Sequence, residues 1–266
     1  MARIKAVFFD IDGTLVPIGK GGIPASTKEA LRRLRNKGIK VFISSGRHPA
    51  WINNLEGEAF DGYVTVNGAL CLAGDEKTVI YKRGIDPADI RRLVPFVHEH
   101  GGNMPFVVVT PQSRPYATGK GGTFADVATL LRIPEVEVRP VEDALGQDVL
   151  QLLVFAPADV VTRTGLYENV LIHCEPQTWS DDFSDIVPHG SDKSVGIDRM
   201  LEYYGIDLSE TMAFGDGGND IGMLRHVAVG VAMGNASDEV KAAADYVTDN
   251  VDNDGVMKAL QALHVL

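Results

Sequence analysis

Residues 6–14 decide the fold, and they read Ala-Val-Phe-Phe-Asp-Ile-Asp-Gly-Thr. The four apolar residues are typical of a buried strand, and carboxylates follow at Asp10 and Asp12. Because residues i and i+2 share one face of a strand, we expect both carboxylates to project towards the same point and to repel each other. Folding alone gives no reason for that arrangement, although two acidic turn residues would also fit it. A bound cation would offset the repulsion, so the stretch predicts a cation site where a phosphate could react.

The composition is that of a globular protein, with 266 residues, 45% hydrophobic and 23% charged,. The formal net charge of -11 argues against nucleic acid or an anionic membrane as the main partner, because both are bound by basic surfaces,. Two cysteines, Cys71 and Cys174, are too few for a disulfide framework and favour reduced thiols in the cytoplasm,. The sequence predicts neither a signal peptide nor a membrane span, and it indicates no oligomeric state.

Strand and helix patterns alternate at both ends of the chain, which predicts βαβ units and a parallel sheet. The first helix would open at a capping box, Ser26-x-x-Glu29,. Near the C-terminus, Ser191-Asp192 would cap a helix that Gly205 ends,. Expected core strands are residues 4–9, 40–43, 63–66, 211–214, 227–231 and 246–248.

The middle of the chain has a different sequence pattern, in which short strand-like runs are separated by prolines. Expected strands there are residues 106–109, 136–139, 150–155 and 170–174. We therefore predict an α/β protein with a Rossmann-like parallel-sheet core and an inserted α+β domain. The predicted boundaries are 1–82 for the first part of the core, 83–187 for the insert and 188–266 for the second part of the core.

Three further segments carry polar groups to strand or helix ends, where ligand sites of parallel sheets form. Residues 44–47 (Ser-Ser-Gly-Arg) follow a strand, and Ser45 is the serine expected to donate to a phosphate, because Gly46 frees the backbone beside it,. Lys193 lies in the first turn of a helix, where a cation opposes the helix dipole unless an anion is bound there,. A solvated lysine or a pair with Asp192 would also explain it.

The last segment, residues 215–220, reads Gly-Asp-Gly-Gly-Asn-Asp and lies between a strand and a helix. A turn that caps a helix explains Asn219 or Asp220 but not the acid at Asp216. Carboxylate oxygens are ligands that Mg²⁺ prefers, so Asp216 is predicted to bind the same cation as Asp10. Asp220 is predicted to hold Lys193 or a metal-bound water.

Taken in this order, the four segments resemble the haloacid dehalogenase superfamily of aspartyl phosphotransferases. Its signature is Asp-x-Asp-Gly-Thr, then a Ser or Thr at a strand end, then Lys, then Gly-Asp-x-x-Asn-Asp. The Ser-Gly-Arg form of the second motif, residues 67–69 (Asn-Gly-Ala), residues 254–256 (Asp-Gly-Val) and the large insert are similar to its Cof-type sugar-phosphate phosphatase branch. That branch uses the insert as a mobile cap of the C2 type, and the resemblance covers essentially the whole chain.

The resemblance implies a magnesium-dependent phosphatase that hydrolyses small phosphorylated metabolites, sugar phosphates foremost, through an aspartyl-phosphate. Asp10 would be the nucleophile and Asp12 the general acid and base. Asp10, the backbone carbonyl of Asp12, and Asp216 would hold Mg²⁺, with Asp220 completing the outer shell of the metal. The residues implied to bind phosphate or substrate are Ser45, Gly46, Arg47, Asn67, Lys193 and Asn219, with His48 a further candidate for substrate contact.

Two other functions remain compatible with these motifs. A phosphomutase on the same core would pass the phosphoryl group from Asp10 to a sugar hydroxyl instead of water. A signalling protein would accept a phosphoryl group on Asp10 without turnover, but such receivers lack the large insert and the acid at Asp12. The product formed from a phosphorylated sugar, or a long-lived acyl phosphate, would distinguish them.

Overall fold

Strand β1 (Ala6–Phe9) lies inside an eight-stranded sheet, and all four of its residues are buried. The protein is described by a computed structural model covering residues 3–111, 114–130 and 135–266. Two units are distinguished, Met1–Tyr81 with Asp192–Leu266 as the core unit, and Lys82–Ser191 as the inserted unit. Each unit has its own sheet, and the predicted class, an α/β core with an inserted α+β domain, is confirmed.

The strands follow the apolar runs of the sequence. Within the described residues they are β1, β2 (Lys40–Ser44), β3 (Gly62–Thr65), β4 (Leu70–Ala73), β5 (Val79–Lys82), β6 (Phe106–Val109), β7 (Tyr116–Ala117), β8 (Gln151–Val154), β9 (Cys174–Ser180), β10 (Phe183–Pro188), β11 (Thr211–Gly215), β12 (Val229–Ala232) and β13 (Tyr246–Val247).

The α-helices lie mostly between strands. In the described part of the chain they are α1 (Ala25–Asn36), α2 (Pro87–His100), α3 (Phe124–Leu130), α4 (Ala158–Arg163), α5 (Lys193–Tyr204), α6 (Ile221–His226), α7 (Asp238–Ala243) and α8 (Gly255–Ala262). Two short 3₁₀ turns matter below, Val66–Gly68 and Gly218–Asp220.

The core sheet has the order β13-β12-β11-β1-β2-β3-β4-β5. The strands from β13 to β3 are parallel, and β4 runs antiparallel to β3. The chain leaves β1 in one direction through β2 and returns on the other side through β11. This reversal makes the carboxyl end of β1 a topological switch point, where α/β proteins bind ligands.

Aromatic and aliphatic side chains hold the core sheet to its helices. The Phe8 and Phe42 rings of the neighbouring strands stack 4.7 Å apart, and Ile197 and Met200 of α5 belong to the same buried cluster. Helix α5 contacts β3, β4 and α6, while α1 contacts α8. Because α5 is packed over several strands, its first residue, Lys193, has a defined position at the carboxyl edge of the sheet.

The inserted unit contains an antiparallel sheet of order β7-β6-β8-β10-β9. One side of this sheet contributes Phe106, Leu152 and Ile186 to a separate hydrophobic cluster, which α2 joins through Ile90 and Leu93. Burial of these apolar side chains is what stabilises the unit.

The capping box predicted at Ser26 is wrong. Helix α1 begins at Ala25 after Pro24, so Ser26 lies inside the first turn and no side chain caps the helix. Glu29 binds Arg32 one turn later, at 2.6 and 2.7 Å, instead of returning to the helix start. At α5 the prediction is confirmed, because Asp192 accepts hydrogen bonds from the backbone N–H groups of Ser194 and Val195.

Two strands predicted in the insert are also wrong. Among the described residues, 136–139 form a single bridge, Ala117 to Val138, and not a strand. Residues 170–174 do not form a strand, since the backbone N–H of His173 donates to the Asp89 carboxylate at 2.9 Å and the strand begins at Cys174.

None of the helices in the described residues has the length and apolar character that crossing a membrane requires.

Candidate active site

Neighbouring parallel strands bring the predicted site residues to one edge of the core sheet. Asp10 follows β1, Ser45 follows β2 and Asp216 follows β11. The register pairs Phe9 with Phe214 on one side and with Ile43 on the other. The three strands therefore end at the same level, and their polar residues meet there.

Asp10 and Asp12 do not share a strand face, because β1 ends at Phe9. The backbone turns at once, and the N–H groups of Leu15 and Val16 donate to the Ile11 carbonyl at 3.0 and 2.8 Å. The two carboxylates consequently contact different cations: Asp10 binds Lys193 and Asp12 binds Arg47. The expected shared strand face is therefore wrong, because the backbone is not extended through Asp12, although the charge of Asp12 still contributes to the raised pKa of Asp10.

Gly13 allows Asp216 to approach this turn. Its φ of +91° is in the left-handed region, and a Cβ built on it would lie 2.0 Å from Oδ2 of Asp216. Any other residue at this position would displace the Asp216 carboxylate.

Lys193 is fully buried and joins two carboxylates. Its Nζ donates to Oδ1 of Asp10 at 2.7 Å and to Oδ1 of Asp220 at 2.6 Å. Burial lowers the pKa of Lys193, but the two carboxylates outweigh it and hold the pKa above its usual value. The ammonium group is therefore permanently charged at neutral pH, and a solvated lysine is excluded.

The acids around Lys193 outnumber it. Burial raises the pKa of Asp10 well above its usual value; Lys193 acts against this, while Asp220, Asp216 and Asp12 add to the rise. Burial, followed by the charge of Asp220, raises the pKa of Asp216 to about 7. These shifts have one cause, negative charge concentrated in a desolvated place, and a cation would relieve it.

Both carboxylate oxygens of Asp220 accept hydrogen bonds from groups of the site. Oδ1 accepts from Lys193, and Oδ2 accepts from the backbone N–H groups of Asp216 and Gly217, both at 2.9 Å. It organises the turn after β11 and orients Lys193. This matches a role behind the metal ligands better than direct ligation.

Two residues hold Asp216 for which no role is predicted from the sequence. Thr14 donates its hydroxyl to Oδ1 of Asp216 at 2.9 Å, and Asn235 donates its amide to Oδ2 at 3.2 Å. Thr14 is the last residue of the Asp-x-Asp-Gly-Thr signature, which is the sequence signal that could have pointed to it. Asn235 lies in a separate loop after β12, outside the four segments that predict the site.

Arg47 binds Asp12 through both ends of its guanidinium fork. Nε donates to Oδ2 at 2.6 Å, and a terminal nitrogen donates to Oδ1 at 2.9 Å. Another terminal nitrogen donates to the carbonyl of Trp51 at 3.1 Å, so the arginine is held from both sides. Bidentate pairs of this kind fix orientation as well as charge.

The predicted phosphate-binding residues form a second cluster at the same edge. Oγ of Ser45 accepts from the backbone N–H of Arg47 at 3.1 Å. The Asn219 amide donates to Oδ1 of Asn67 at 3.0 Å, and a Cβ on Gly46 would lie 3.0 Å from the same oxygen. Nδ1 of His48 instead accepts from Ala50 N–H and caps the 3₁₀ turn Pro49–Trp51.

Two clusters in the described residues have ligand atoms close enough to share a metal ion. One is Asp10, Asp216 and Asp220, with atoms within 4.8 Å of one another. The other, in the inserted unit, is Asp86, Asp89 and His173, where the Asp89 carboxylate already accepts from Arg92 and from His173. The first cluster contains only oxygen donors and excess negative charge, so its residues fit a hard cation such as Mg²⁺.

Comparison with known proteins adds independent information. The family model described as haloacid dehalogenase-like hydrolase matches residues 7–260. YkrA of Bacillus subtilis (strain 168) is 34% identical over 98% of each chain. Pyridoxal phosphate phosphatase YbhA of Escherichia coli (strain K12) is 29% identical, over 95% of this chain and 96% of that one.

The solved structure of the subclass IIB sugar phosphatase BT4131 superimposes with a TM-score of 0.88 at 38% identity, covering 98% of this chain and 100% of that one. The family predicted from the four motifs is thereby confirmed. This chain belongs to the haloacid dehalogenase-like hydrolases and is a phosphatase of that family.

Proposed function

We propose that the protein hydrolyses phosphate monoesters of small metabolites, sugar phosphates foremost, with Mg²⁺ and through an aspartyl-phosphate on Asp10. The Asp10 carboxylate carries this proposal. Its Oδ1 accepts from Lys193, while Oδ2 accepts no hydrogen bond from the described residues. A nucleophile needs such an oxygen, held in place by its neighbour and not occupied by a donor. The sugar phosphatase named among the similar structures supports the substrate class.

In the first half of the proposed reaction, an oxygen of Asp10 attacks phosphorus. The bond between Asp10 and phosphorus forms, the bond from phosphorus to the substrate oxygen breaks, and Asp12 gives its proton to the departing oxygen. In the second half, Asp12 takes a proton from water as the water attacks phosphorus. Inorganic phosphate leaves, the Asp10 carboxylate is restored and Asp12 is protonated again.

Lys193 serves Asp10 in both halves. Its ammonium group orients the carboxylate through the 2.7 Å contact and acts against the rise in the pKa of Asp10 that burial causes. An ionised aspartate needs no separate base to become a nucleophile. Lys193 also offers positive charge to the phosphate, so it would lower the repulsion between two anions.

Arg47 has to change partners during the reaction. Asp12 must carry a proton in the first half, whereas a bidentate guanidinium favours its ionised form,. The proposal therefore requires Arg47 to release Asp12 when the leaving group is protonated. The substrate phosphate is the natural competitor, because it presents oxygens to the same fork. Ser45, Asn67 and Asn219 would complete the phosphate site from the β2 and β11 sides.

Asp10, Asp216 and the backbone carbonyl of Asp12 would hold Mg²⁺. The support is the donor chemistry and the charge: Asp10, Asp216 and Asp220 have carboxylate oxygens within 4.8 Å of one another, and the buried ammonium group of Lys193 pairs with Asp10 and Asp220. When bound, the ion would offset the negative charge shared by Asp10 and the phosphate.

The test measures release of inorganic phosphate from a panel of phosphorylated sugars, nucleotides and small acids, with Mg²⁺ or with a chelator. We expect turnover with Mg²⁺, strongest for sugar phosphates, and none with the chelator. Activity that survives thorough removal of divalent metal would contradict the metal assignment. Accumulation of an isomeric sugar phosphate without inorganic phosphate would indicate a phosphomutase.

The same assay examines the nucleophile with Asp10→Asn, which keeps the shape of the side chain. We expect turnover to fall by at least about 10³-fold, as for other lost nucleophiles. Asp159→Asn, an exposed aspartate on α4, is the matched control and should retain wild-type turnover. Substantial residual activity in pure, folded Asp10→Asn protein would overturn the aspartyl-phosphate assignment.

A further inference from the structure

Asn235 belongs to a loop with a defined position at the carboxyl edge of the core sheet. The loop follows β12, the neighbour of β11. Its backbone is tied to both sides: the N–H of Met233 donates to the Gly215 carbonyl at 3.0 Å, and the N–H of Gly234 donates to the Asp249 carbonyl at 3.1 Å. A fourth adjacent strand end thus supplies a polar side chain to the site.

The Asn235 amide uses both of its ends. Nδ2 donates to the Gly13 carbonyl at 2.9 Å and to Oδ2 of Asp216 at 3.2 Å, and Oδ1 accepts from the Val251 N–H at 3.0 Å. The reversed amide would put oxygen against two acceptors and NH₂ against a donor. The partners therefore allow only one orientation.

Asp216 is consequently held at both oxygens, by Thr14 at Oδ1 and by Asn235 at Oδ2. Without such donors, the Asp216 carboxylate would be free to rotate. Asn235 also ties Asp216 to the Gly13 turn that carries Asp10 and Asp12. It joins the chain segments that supply all the ligands of the proposed cation site.

Stability alone does not account for this arrangement. Asn235 is an exposed residue, so its amide could hydrogen-bond water at little cost in free energy. Its contacts instead converge on the Asp216 carboxylate and on the Gly13 carbonyl. Donors aimed at a metal-binding carboxylate typically tune the affinity for the metal.

We propose that Asn235 is a positioning residue that sets the affinity of the site for its cation, through Asp216 and the Gly13 carbonyl. This inference rests on the magnesium site of the proposed function. It concerns the positioning of a ligand only, since Asn235 takes part in no chemical step. The expected effect is on cation binding, so it should be measurable in the absence of substrate.

The test is calorimetric titration of MgCl₂ alone into metal-free protein, for the wild type, Asn235→Ala and Asn36→Ala. Asn36 is an exposed residue at the end of α1 that belongs neither to the loop nor to the candidate site, and it serves as the matched control. We expect Asn235→Ala to bind Mg²⁺ about 10-fold more weakly, in the range found when partners of metal ligands are removed. Asn36→Ala should bind as the wild type does.

Kinetics give a second readout. The Mg²⁺ concentration for half-maximal activity should rise about 10-fold in Asn235→Ala, while kcat at saturating Mg²⁺ stays near the wild-type value. A fall in kcat with unchanged Mg²⁺ dependence would overturn the inference. Asn235→Leu has nearly the shape of asparagine without its polar groups, and should show the same loss if the alanine variant folds poorly.

The outcomes separate this inference from the proposed function. Equal dissociation constants for the wild type and both Asn235 variants would overturn the role of Asn235 and leave the magnesium site standing. A wild-type protein that binds no Mg²⁺ but hydrolyses substrate would overturn both the metal assignment and this inference.

Discussion

Lys193 offsets part of the negative charge of a buried group of acids. Its ammonium group lies between Asp10 and Asp220 with none of its surface exposed. A buried charge is tolerated when it is paired, and removing one partner leaves the others uncompensated. The same residue therefore serves stability and the proposed chemistry.

Replacement of Lys193 by methionine should show both roles. We expect the free energy of unfolding, measured by urea denaturation in a chelator, to fall by roughly 3–5 kcal/mol. The folded pKa of Lys193 is raised, so its contribution is complete below the unfolded lysine pKa of about 10.4 and is lost only as pH rises through the folded value,. Measurement at pH 7 is therefore appropriate.

Lys77→Met is the control for Lys193→Met, because Lys77 is exposed in the loop between β4 and β5. It should leave both stability and phosphate release unchanged. A Lys193→Met protein as stable as the wild type would show that the acids are accommodated without the ammonium group.

At the scale of elements, a strained turn sets the position of helix α5. Val66, Asn67 and Gly68 have φ values of 53°, 49° and 86° in succession, and the left-handed region is strongly disfavoured for a β-branched residue such as Val66. A Cβ on Gly68 would lie 2.0 Å from the carbonyl oxygen of Asp192, the N-cap of α5. The turn that carries Asn67 thus contacts the residue directly before Lys193.

Gly68→Ala should therefore damage the site as well as the fold. The variant adds left-handed strain, about 1–3 kcal/mol, and a collision with the α5 N-terminus that would displace Lys193. We expect lower stability by thermal melting and at least about a 10-fold loss in kcat/KM, as misplaced catalytic groups lose more than this.

Gly38→Ala is the matched control for Gly68→Ala. Gly38 also has a left-handed φ, +74°, but a Cβ there would meet nothing within 4 Å. It should lose comparable stability from strain and retain full activity. Equal activity in the two variants would mean that the turn does not position Lys193.

At the scale of the whole molecule, each unit carries one buried cysteine. Cys71 lies in β4 of the core unit and Cys174 in β9 of the inserted unit. Burial raises the pKa of the Cys71 thiol to about 12. Burial, followed by the charge of Asp89, raises the pKa of the Cys174 thiol as well. The thiolate is the reactive form, so both groups are inert in the folded protein.

These thiols should report the opening of each unit separately. In Cys71→Ser and Cys174→Ser proteins, the remaining thiol should react with a disulfide reagent at pH 8 at least about 100-fold more slowly than in unfolded protein, because only opened molecules react. The dependence of the thiol reaction rate on denaturant concentration then measures the free energy of opening of the unit that contains that thiol. Rapid reaction in native conditions would contradict the burial.

The sequence alone identified the family and the positions along the chain of the residues proposed for its chemistry. Apolar runs followed within two residues by Asp10, Ser45 or Asp216 predict strands with polar ends, and a parallel sheet places such ends at one edge,. The bounds of helix α5 could also be predicted, because Asp192 and Gly205 are local capping signals that act within a few residues. The strands predicted at residues 136–139 and 170–174 were wrong, since strand formation depends on pairing with a partner that is distant in the sequence.

The tertiary structure decided which groups contact one another. Lys193 and Asp10 are 183 residues apart, and Asn235 and Gly13 are 222 apart; no local pattern encodes such pairs. Asp12 binds Arg47, and not the partner of Asp10, because the backbone turns after Phe9. The proposed site residues could be recognised in the sequence, because few residue types can bind a cation or a phosphate. Their contacts could not, because they depend on side chains that reach one another only after folding has brought distant strands and loops together.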